Sequence, residues 1–152
     1  MLQKHLGTEC DVTSVFKPSA PLESVVEDRA NLGKDFTKKD HIVIVGGPGN
    51  ILSLLNRKDL NFIARRTDHT SVGFVNLLRR YDKPWMNRKV RCVSLWLDLA
   101  LLGHGTSHIG VVDTMTIGRE EYTAHGLHLN SRGKRRLMLL IADRLDGFMC
   151  PM

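Results

Sequence analysis

The stretch His41–Asn50, HIVIVGGPGN, combines a strand pattern with a glycine-rich turn. Its β-branched residues Ile42 to Val45 form an apolar run without polar alternation, which is typical of a strand covered on both faces in a parallel sheet. The following Gly46-Gly47-Pro48-Gly49 lets the chain turn sharply and bring backbone N–H groups to a ligand. Because ligands of open α/β sheets bind beyond the carboxyl ends of the strands, this stretch predicts a central strand that leads into a site.

The segments around this stretch alternate between strand and helix patterns. β-Branched residues predict strands at 11–16, 71–78 and 107–112. Apolar residues at helical spacing predict helices at about 21–33, in the second half of 51–66, at 87–102 and at about 129–146. We expect Gly33, Gly103 and Gly147 to end three of these helices. Such alternation indicates βαβ units and therefore predicts an α/β fold with a parallel sheet.

The predicted helix at 87–102 is apolar on more than one face. Its main stripe consists of Val90, Val93, Leu97 and Leu101, and the residues that widen this stripe are Leu95, Leu99 and Leu102. A helix this broad in its apolar surface is either deeply packed inside the protein or in contact with a partner.

Length and composition favour one globular domain with a basic surface. The 152 residues suit a single domain, which we assign to residues 1–148 with a tail at 149–152. Lys and Arg number 22 against 16 Asp and Glu, a formal charge of +6, so a nucleic acid or an anionic surface is permitted as partner. A basic solvated surface is the commoner meaning of such a charge.

The chain lacks signals for secretion or membrane insertion. No apolar run reaches the ~20 residues of a membrane span, and no signal-peptide pattern is present. The cysteines, Cys10, Cys92 and Cys150, are odd in number and far apart, which indicates reduced thiols. We therefore expect an intracellular protein, in the cytosol or nucleus, without a membrane as partner.

Two histidine pairs invite a metal interpretation. His104 and His108 are four residues apart, and His125 and His128 are three apart. Neither pair has an acidic or cysteine companion at ligand spacing, and the first pair falls in a glycine-broken loop. We therefore expect no metal and no other cofactor.

Basic clusters recur along the chain and admit two interpretations. They can solvate helix faces and ends, where cations favour a C-terminus. They can also bind the phosphate backbone of RNA or DNA, with Tyr81 or Trp85 available to stack on bases. The candidate nucleic-acid contacts are Arg79, Arg80, Arg132, Lys134, Arg135 and Arg136.

The segment Gly126-Leu127-His128-Leu129-Asn130-x-x-Gly133-Lys134 carries a family resemblance. Together with the strand that ends in Gly-Gly-x-Gly-Asn about 80 residues upstream, it resembles the last and third motif blocks of the SGNH/GDSL hydrolase superfamily. Members are esterases and acetylhydrolases with a flavodoxin-like, three-layer α/β/α fold. The order of strands, turns and helices matches from Asp11 to Leu145, so the resemblance implies that fold here.

The resemblance also implies site residues. The family's histidine base matches His128, and the acid that orients this base falls on His125, which has no carboxylate. The asparagine donor of the oxyanion hole matches Asn50, and its glycine N–H donor falls on Ser19. The oxyanion loop would contain Gly46, Gly47 and Gly49.

The family's first block, a strand that leads into the nucleophilic serine of Gly-Asp-Ser, has no counterpart in this chain. No serine here is preceded by Gly-Asp, so the resemblance implies an N-terminally truncated member without hydrolase activity. In the family this first strand lies between the second and third. Its loss predicts that 11–16 pairs directly with 42–45, or that 42–45 becomes an exposed edge open to a partner strand or a homo-oligomer.

Within the superfamily, the chain looks most like insect SGNH-like domains. These occur in retroelement-encoded proteins and, in degenerate form, in the Oskar germ-plasm protein, where the fold lacks the catalytic set and binds RNA. The resemblance therefore implies a second candidate function, an RNA-binding or protein-interaction module that uses the basic surface.

Overall fold

The computed structural model describes residues 11–15, 24, 33–46, 57–105 and 107–149. Strands and helices alternate along it, with two short 3₁₀ helices at Pro84–Met86 and Arg119–Glu121. In chain order they are β1 (His41–Val45), α1 (Arg57–Arg66), β2 (Ser71–Val75), α2 (Asn87–His104), β3 (Ile109–Val112) and α3 (Ser131–Met149). This order confirms the predicted α/β fold. Of the helix predicted at 21–33, only Ser24, which is helical, and Gly33 fall among the described residues.

The three strands form a parallel sheet in the order β1-β2-β3, as the alternating pattern predicts. The central strand of the described sheet is β2, all of whose residues are buried. In β1, Ile42 and Ile44 are buried whereas Val45 is 60% exposed. The prediction that 41–45 is a central strand is therefore wrong for the described sheet. A run of β-branched residues indicates a strand but not its place in the sheet, which the crossover connections decide.

The strand predicted at 11–16 is also wrong where the structure describes it. Residues 11–15 adopt no strand conformation, and four of these five residues are exposed. β-Branched residues favour a strand only where a half-buried pleated surface receives them. Among the described residues, no strand other than β2 pairs with β1. Of the two alternatives for 42–45, the described residues thus fit the exposed edge, and a partner strand stays a prediction.

The helix ends differ from the predicted ones because two glycines lie inside helices. Gly103 lies within α2, which ends at His104 and is capped by Gly105 in the left-handed conformation, with φ of 59°. Gly147 lies within α3. A Cβ at Gly103 or Gly147 would meet nothing within 4 Å, so neither position requires glycine for packing. A glycine ends a helix only where the chain needs the left-handed conformation.

Two hydrophobic clusters cover the opposite faces of the sheet. The first contains Val72 and Phe74 of β2 with buried residues of α1 and α2. The second contains Val75 of β2 with Leu137 and Ile141 of α3. Because successive side chains of a strand point to opposite faces, α1 and α2 pack on one face and α3 on the other.

Two histidines lie at the amino-terminal edge of this sheet. His41 is the first residue of β1, and His108 directly precedes β3. The His108 ring nitrogen Nε2 lies 3.5 Å from the Thr67 hydroxyl. Burial lowers the pKa of both His41 and His108 below the ordinary histidine value of 6.5, and the nearby Lys38 ammonium lowers the pKa of His108 further.

We expect the free energy of unfolding to fall as the pH is lowered from about 7.5 to about 5.5. The unfolded chain takes up protons on His41 and His108 at a higher pH than the folded chain, because the folded-state pKa values are lowered. Urea unfolding at a series of pH values measures this, and His108→Gln should reduce the slope. A free energy of unfolding that stays constant or rises over this interval would contradict the prediction.

Candidate functional site

The carboxyl-terminal edge of the sheet is built from two loops that are fastened where their strands end. The loop after β2 begins at Asn76, whose backbone N–H donates to the Val112 carbonyl at 3.0 Å. The loop after β3 contains the buried Thr114, whose hydroxyl donates to the Leu77 carbonyl at 2.9 Å. The two loops therefore start from fixed positions beside each other.

Residues 123–128, here called the histidine loop, form a closed turn at this edge. Thr123 N–H donates to the His128 carbonyl at 2.8 Å, and Gly126 N–H donates to the Thr123 carbonyl at 2.9 Å. Gly126 has a φ of 72°, and its carbonyl accepts the Tyr81 N–H at 2.9 Å. A Cβ at Gly126 would come within 2.6 Å of the Tyr81 Cβ. Both the left-handed backbone and the close approach to Tyr81 therefore require glycine here.

The Asn130 side chain joins the histidine loop to α3. Its Nδ2 donates to the carbonyls of Glu120 at 2.9 Å and Tyr122 at 3.0 Å. Its Oδ1 accepts the Gly133 N–H at 3.0 Å, which is the side-chain bond of a helix N-cap. A Cβ on Gly133 would overlap the Glu121 carbonyl oxygen, so glycine allows the first turn of α3 to touch that backbone.

Arg119 holds the histidine loop from the other side. Its guanidinium donates to the carbonyls of Thr123 at 3.0 Å and Ala124 at 2.7 Å. The same guanidinium lies 5.6 Å from the centre of the Tyr81 ring. The loop backbone is thus fixed by a charged donor as well as by its own hydrogen bonds.

The aromatic residues predicted to stack on bases have different surroundings. The Tyr81 ring meets the Tyr122 ring edge-on, with centroids 4.9 Å apart, and Arg119 lies near the same Tyr81 ring. Trp85, in contrast, is 72% exposed. Trp85 is therefore available to stack on a base, whereas Tyr81 already serves the loop.

His125 and His128 both project from the histidine loop and are exposed. Within the part of the chain that the structure describes, neither imidazole forms a hydrogen bond, ion pair or ring contact. No carboxylate stands at position 125 to orient the imidazole of His128. The loop therefore presents a histidine base without an orienting acid among the described residues.

The remaining predicted site residues are only partly described. Gly46 directly follows β1 and so lies at the same edge of the parallel sheet as the histidine loop. Ser19, Gly47, Gly49 and Asn50 lie outside the described residues.

Among the described residues, no group of three or more histidine, cysteine or acidic side chains is placed to hold a metal ion. His104 is the last residue of α2, so the prediction that it lies in a loop is wrong. Gly103 lies inside the helix, and Gly105, in the left-handed conformation, is the residue that caps it.

The predicted nucleic-acid contacts fall into two groups. Arg80 forms a bidentate ion pair with Asp82, at 2.6 Å from Nε and 2.5 Å from Nη2, and Arg79 is half-buried. The exposed group lies in the first two turns of α3 and consists of Arg132, Lys134, Arg135 and Arg136. Cations at a helix N-terminus oppose the helix dipole, so the dipole does not account for this group. The helix dipole does account for Arg65 and Arg66, which lie in the last turn of α1.

The sequence did not reveal the structural roles of Arg119, Asn130 and Gly133, which hold the site together. An asparagine just before a helical pattern is a common N-cap, so Asn130 could have been recognised in that role. The contacts of Arg119 and Gly133 depend on how the chain folds back on Glu121 and Ala124. Such contacts leave no periodic signal in the sequence.

The described residues define a parallel α/β fold with a fixed, histidine-bearing loop at the carboxyl edge of its sheet. Comparisons with family models, curated proteins and solved structures found no match. Within the described ranges, no helix has the length and apolar character that crossing a membrane requires.

Proposed function

We propose that this chain is a catalytically disabled SGNH-hydrolase-like domain with a flavodoxin-like, three-layer architecture. The strand order β1-β2-β3 supports this proposal, because flavodoxin-like sheets have the order 2-1-3-4-5 and their last three strands are neighbours in sequence order. In that correspondence β1 is the third strand, whose outer side would face the family's first strand. Helices on both faces of the sheet are consistent with the same architecture.

The proposal is carried by the different structural roles of the residues in the motif from Gly126 to Lys134. Leu129 is buried, Asn130 caps α3 and Gly133 permits a close backbone contact. His128 has none of these structural duties within the described residues, yet a loop with several hydrogen bonds presents it to solvent. A polar side chain held out from a hydrogen-bonded loop beside the carboxyl ends of strands supports a role in chemistry rather than in stability.

The same geometry accounts for the proposed loss of activity. A histidine base acts on a nucleophile within about 2.6–3.2 Å, and a third group orients the base. Among the described residues, no hydroxyl or thiol contacts the His128 imidazole, and position 125 supplies a second imidazole instead of a carboxylate. The proposed site therefore keeps a base without the two partners that make it catalytic.

We expect no saturable hydrolysis of short-chain p-nitrophenyl esters. The slow rate with the native chain should match the rates with His128→Ala and His125→Ala within about twofold, because an exposed imidazole without an orienting acid reacts with such esters no faster than any other solvated imidazole. Initial rates across a range of ester concentrations measure this. A saturable rate that falls by about 100-fold in His128→Ala but not in His125→Ala would show an active hydrolase.

A second candidate function is binding to the phosphate backbone of RNA inside the cell, in the cytosol or nucleus. The observation that favours it is the exposed basic group at the start of α3, which the helix dipole opposes, together with the exposed indole of Trp85. Lysine and arginine side chains neutralise phosphates, and an exposed aromatic ring can stack on a base.

For this second function we expect affinity for single-stranded RNA to fall steeply between about 50 and 200 mM salt. Replacing the four basic residues of α3 with glutamine should flatten the salt dependence by roughly 0.7 in log–log slope for each lost phosphate contact. Fluorescence anisotropy of a labelled RNA measures both effects. The matched control removes the same charge elsewhere, at Lys34, Lys39, Arg65 and Arg66. Equal losses in both variants would argue against a site on α3.

A further inference from the structure

The outer face of α2 carries an apolar stripe that the protein's own core does not use. We define the α2 stripe as Cys92, Leu95, Leu99 and Leu102, all of which are exposed. The exposed fractions of the three leucines are 54%, 69% and 79% in chain order. The opposite face of α2 supplies the core with Val90, Val93, Leu97 and Leu101. Of the two alternatives that the sequence left open for these leucines, deep packing is thus excluded.

The spacing of the stripe matches one kind of partner surface. Its members follow one another at three, four and three residues, which is the a/d spacing of a seam between two helices. Trp85, which is 72% exposed, lies seven residues before Cys92 in the 3₁₀ helix that leads into α2. At the other end, Leu102 also lines a groove of about 340 Å³ between α2 and β3. The surface is long enough for several turns of a second helix.

We propose that the α2 stripe binds the α2 stripe of a second copy of this chain, with the two helices antiparallel. This surface differs from the strand edge of β1. Because the same stripe is present on both copies, a two-fold axis makes the contact self-complementary and closed.

The charges on and beside the stripe select the antiparallel direction. The first half of α2 carries the exposed Arg88, Lys89 and Arg91, and the second half carries Asp98. A parallel pair would bring the cations of both copies together. An antiparallel pair brings them to the C-terminal half of the other helix, where both Asp98 and the helix dipole are negative.

One register satisfies the apolar and charged contacts together. When Cys92 of one copy lies against Leu95 of the other, Trp85 comes near Leu102 and Arg91 comes opposite Asp98. Arg88, which lies on the stripe itself, then packs the apolar stem of its side chain on Leu99. Arg91 and Asp98 are seven residues apart and so lie on the same flank of α2. Burial and the neighbouring Asp113 raise the pKa of the Asp98 carboxyl, so an approaching cation would stabilise its charged form.

The small size of the surface limits the expected affinity of the dimer. Five side chains per copy form a small contact, and interfaces below ~1,200 Å² belong to weak or transient complexes. Arg144, which lines the groove beside Asp98, adds a cation that moderates the attraction there. We therefore expect a dimer with a dissociation constant in the micromolar range.

Sedimentation velocity of the full chain at increasing concentration tests the stripe. We expect a monomer–dimer equilibrium that Leu99→Lys weakens by about tenfold or more. The control is Leu127→Lys, which charges an exposed leucine in the histidine loop and should leave dimerisation unchanged. A chain that stays monomeric at high micromolar concentration overturns the proposal, and so does a dimer that Leu99→Lys leaves intact. Circular dichroism verifies that each variant is folded.

A charge exchange tests the register and the identity of the partner. Arg91→Asp and Asp98→Arg should each weaken the dimer, because each variant faces like charges across the axis. The double variant should restore it, and a mixture of the two single variants should form the heterodimer. Residues seven apart on one helix are not in contact, so restoration comes from the second copy. Failure of both the double variant and the mixture to restore association overturns the antiparallel register.

Discussion

Replacing Gly133 with alanine is expected to lower the free energy of unfolding by about 3 kcal/mol, at the upper end for overpacking. The added Cβ would overlap the Glu121 carbonyl oxygen and come within 3.0 Å of the Leu129 Cδ2. Glu121 cannot move aside cheaply, because its carbonyl accepts the Asn130 N–H at 3.0 Å and its side chain accepts the Gly118 N–H at 2.8 Å. Urea unfolding followed by circular dichroism measures the loss.

Gly147 offers a matched control for this substitution within the same helix. A Cβ at Gly147 would meet nothing within 4 Å, so Gly147→Ala adds a better helix former without a clash. It should raise the free energy of unfolding by roughly 0.5–1 kcal/mol. The two alanine substitutions thus act in opposite directions. Similar effects at both positions would show that α3 does not contact Glu121 as described.

The regular elements could be predicted because their periodicity is local. The stripe Val90, Val93 and Leu97 predicted the buried face of α2, and Leu137 and Ile141 predicted that of α3. Each stripe follows from 3.6 residues per turn and needs no knowledge of what covers it. The parallel sheet follows equally directly, because strands separated by helices have room to cross over and realign.

The places where prediction failed depend on distant parts of the chain. The apolar run at 42–45 and the strand 71–75 have similar patterns, but only the second has a strand on both sides among the described residues. Gly103 and Gly105 are equally plausible helix ends in the sequence, and only Gly105 adopts the left-handed conformation. Tertiary contacts, rather than the local pattern, decide which strand is central in the sheet and which glycine caps the helix.

In the candidate site, too, the local motif was visible in the sequence whereas the contacts between distant residues were not. The sequence motif predicted His128 and the loop around it as candidates. It did not show that Arg119 holds the loop carbonyls or that Asn130 links the loop to α3. Those roles arise from side chains that return to backbone groups several residues away, and their geometry appears only when the turn is closed.

Replacing Asn130 with alanine should lower the free energy of unfolding by about 3 kcal/mol. Loss of a helix N-cap costs about 1 kcal/mol, and each of the two amide hydrogen bonds to backbone carbonyls contributes roughly another 1 kcal/mol. The Asn130 bonds to Glu120 and Tyr122 precede the histidine loop, and the bond from Gly133 starts α3. Their removal should therefore also speed hydrogen exchange of the Thr123 and Gly126 amides, which close that loop.

Asn130→Ser separates the two contributions. A serine hydroxyl can accept the Gly133 N–H as an N-cap but is too short to reach both carbonyls, so the loss should be smaller by about 1 kcal/mol than in Asn130→Ala. Exchange of the Thr123 and Gly126 amides should nevertheless be equally fast in both variants, because both lack the amide donors that hold the loop. If Asn130→Ser instead retained slow exchange at these amides, the cap alone would fix the histidine loop. His128 would then depend on the start of α3 rather than on the link to Glu120 and Tyr122.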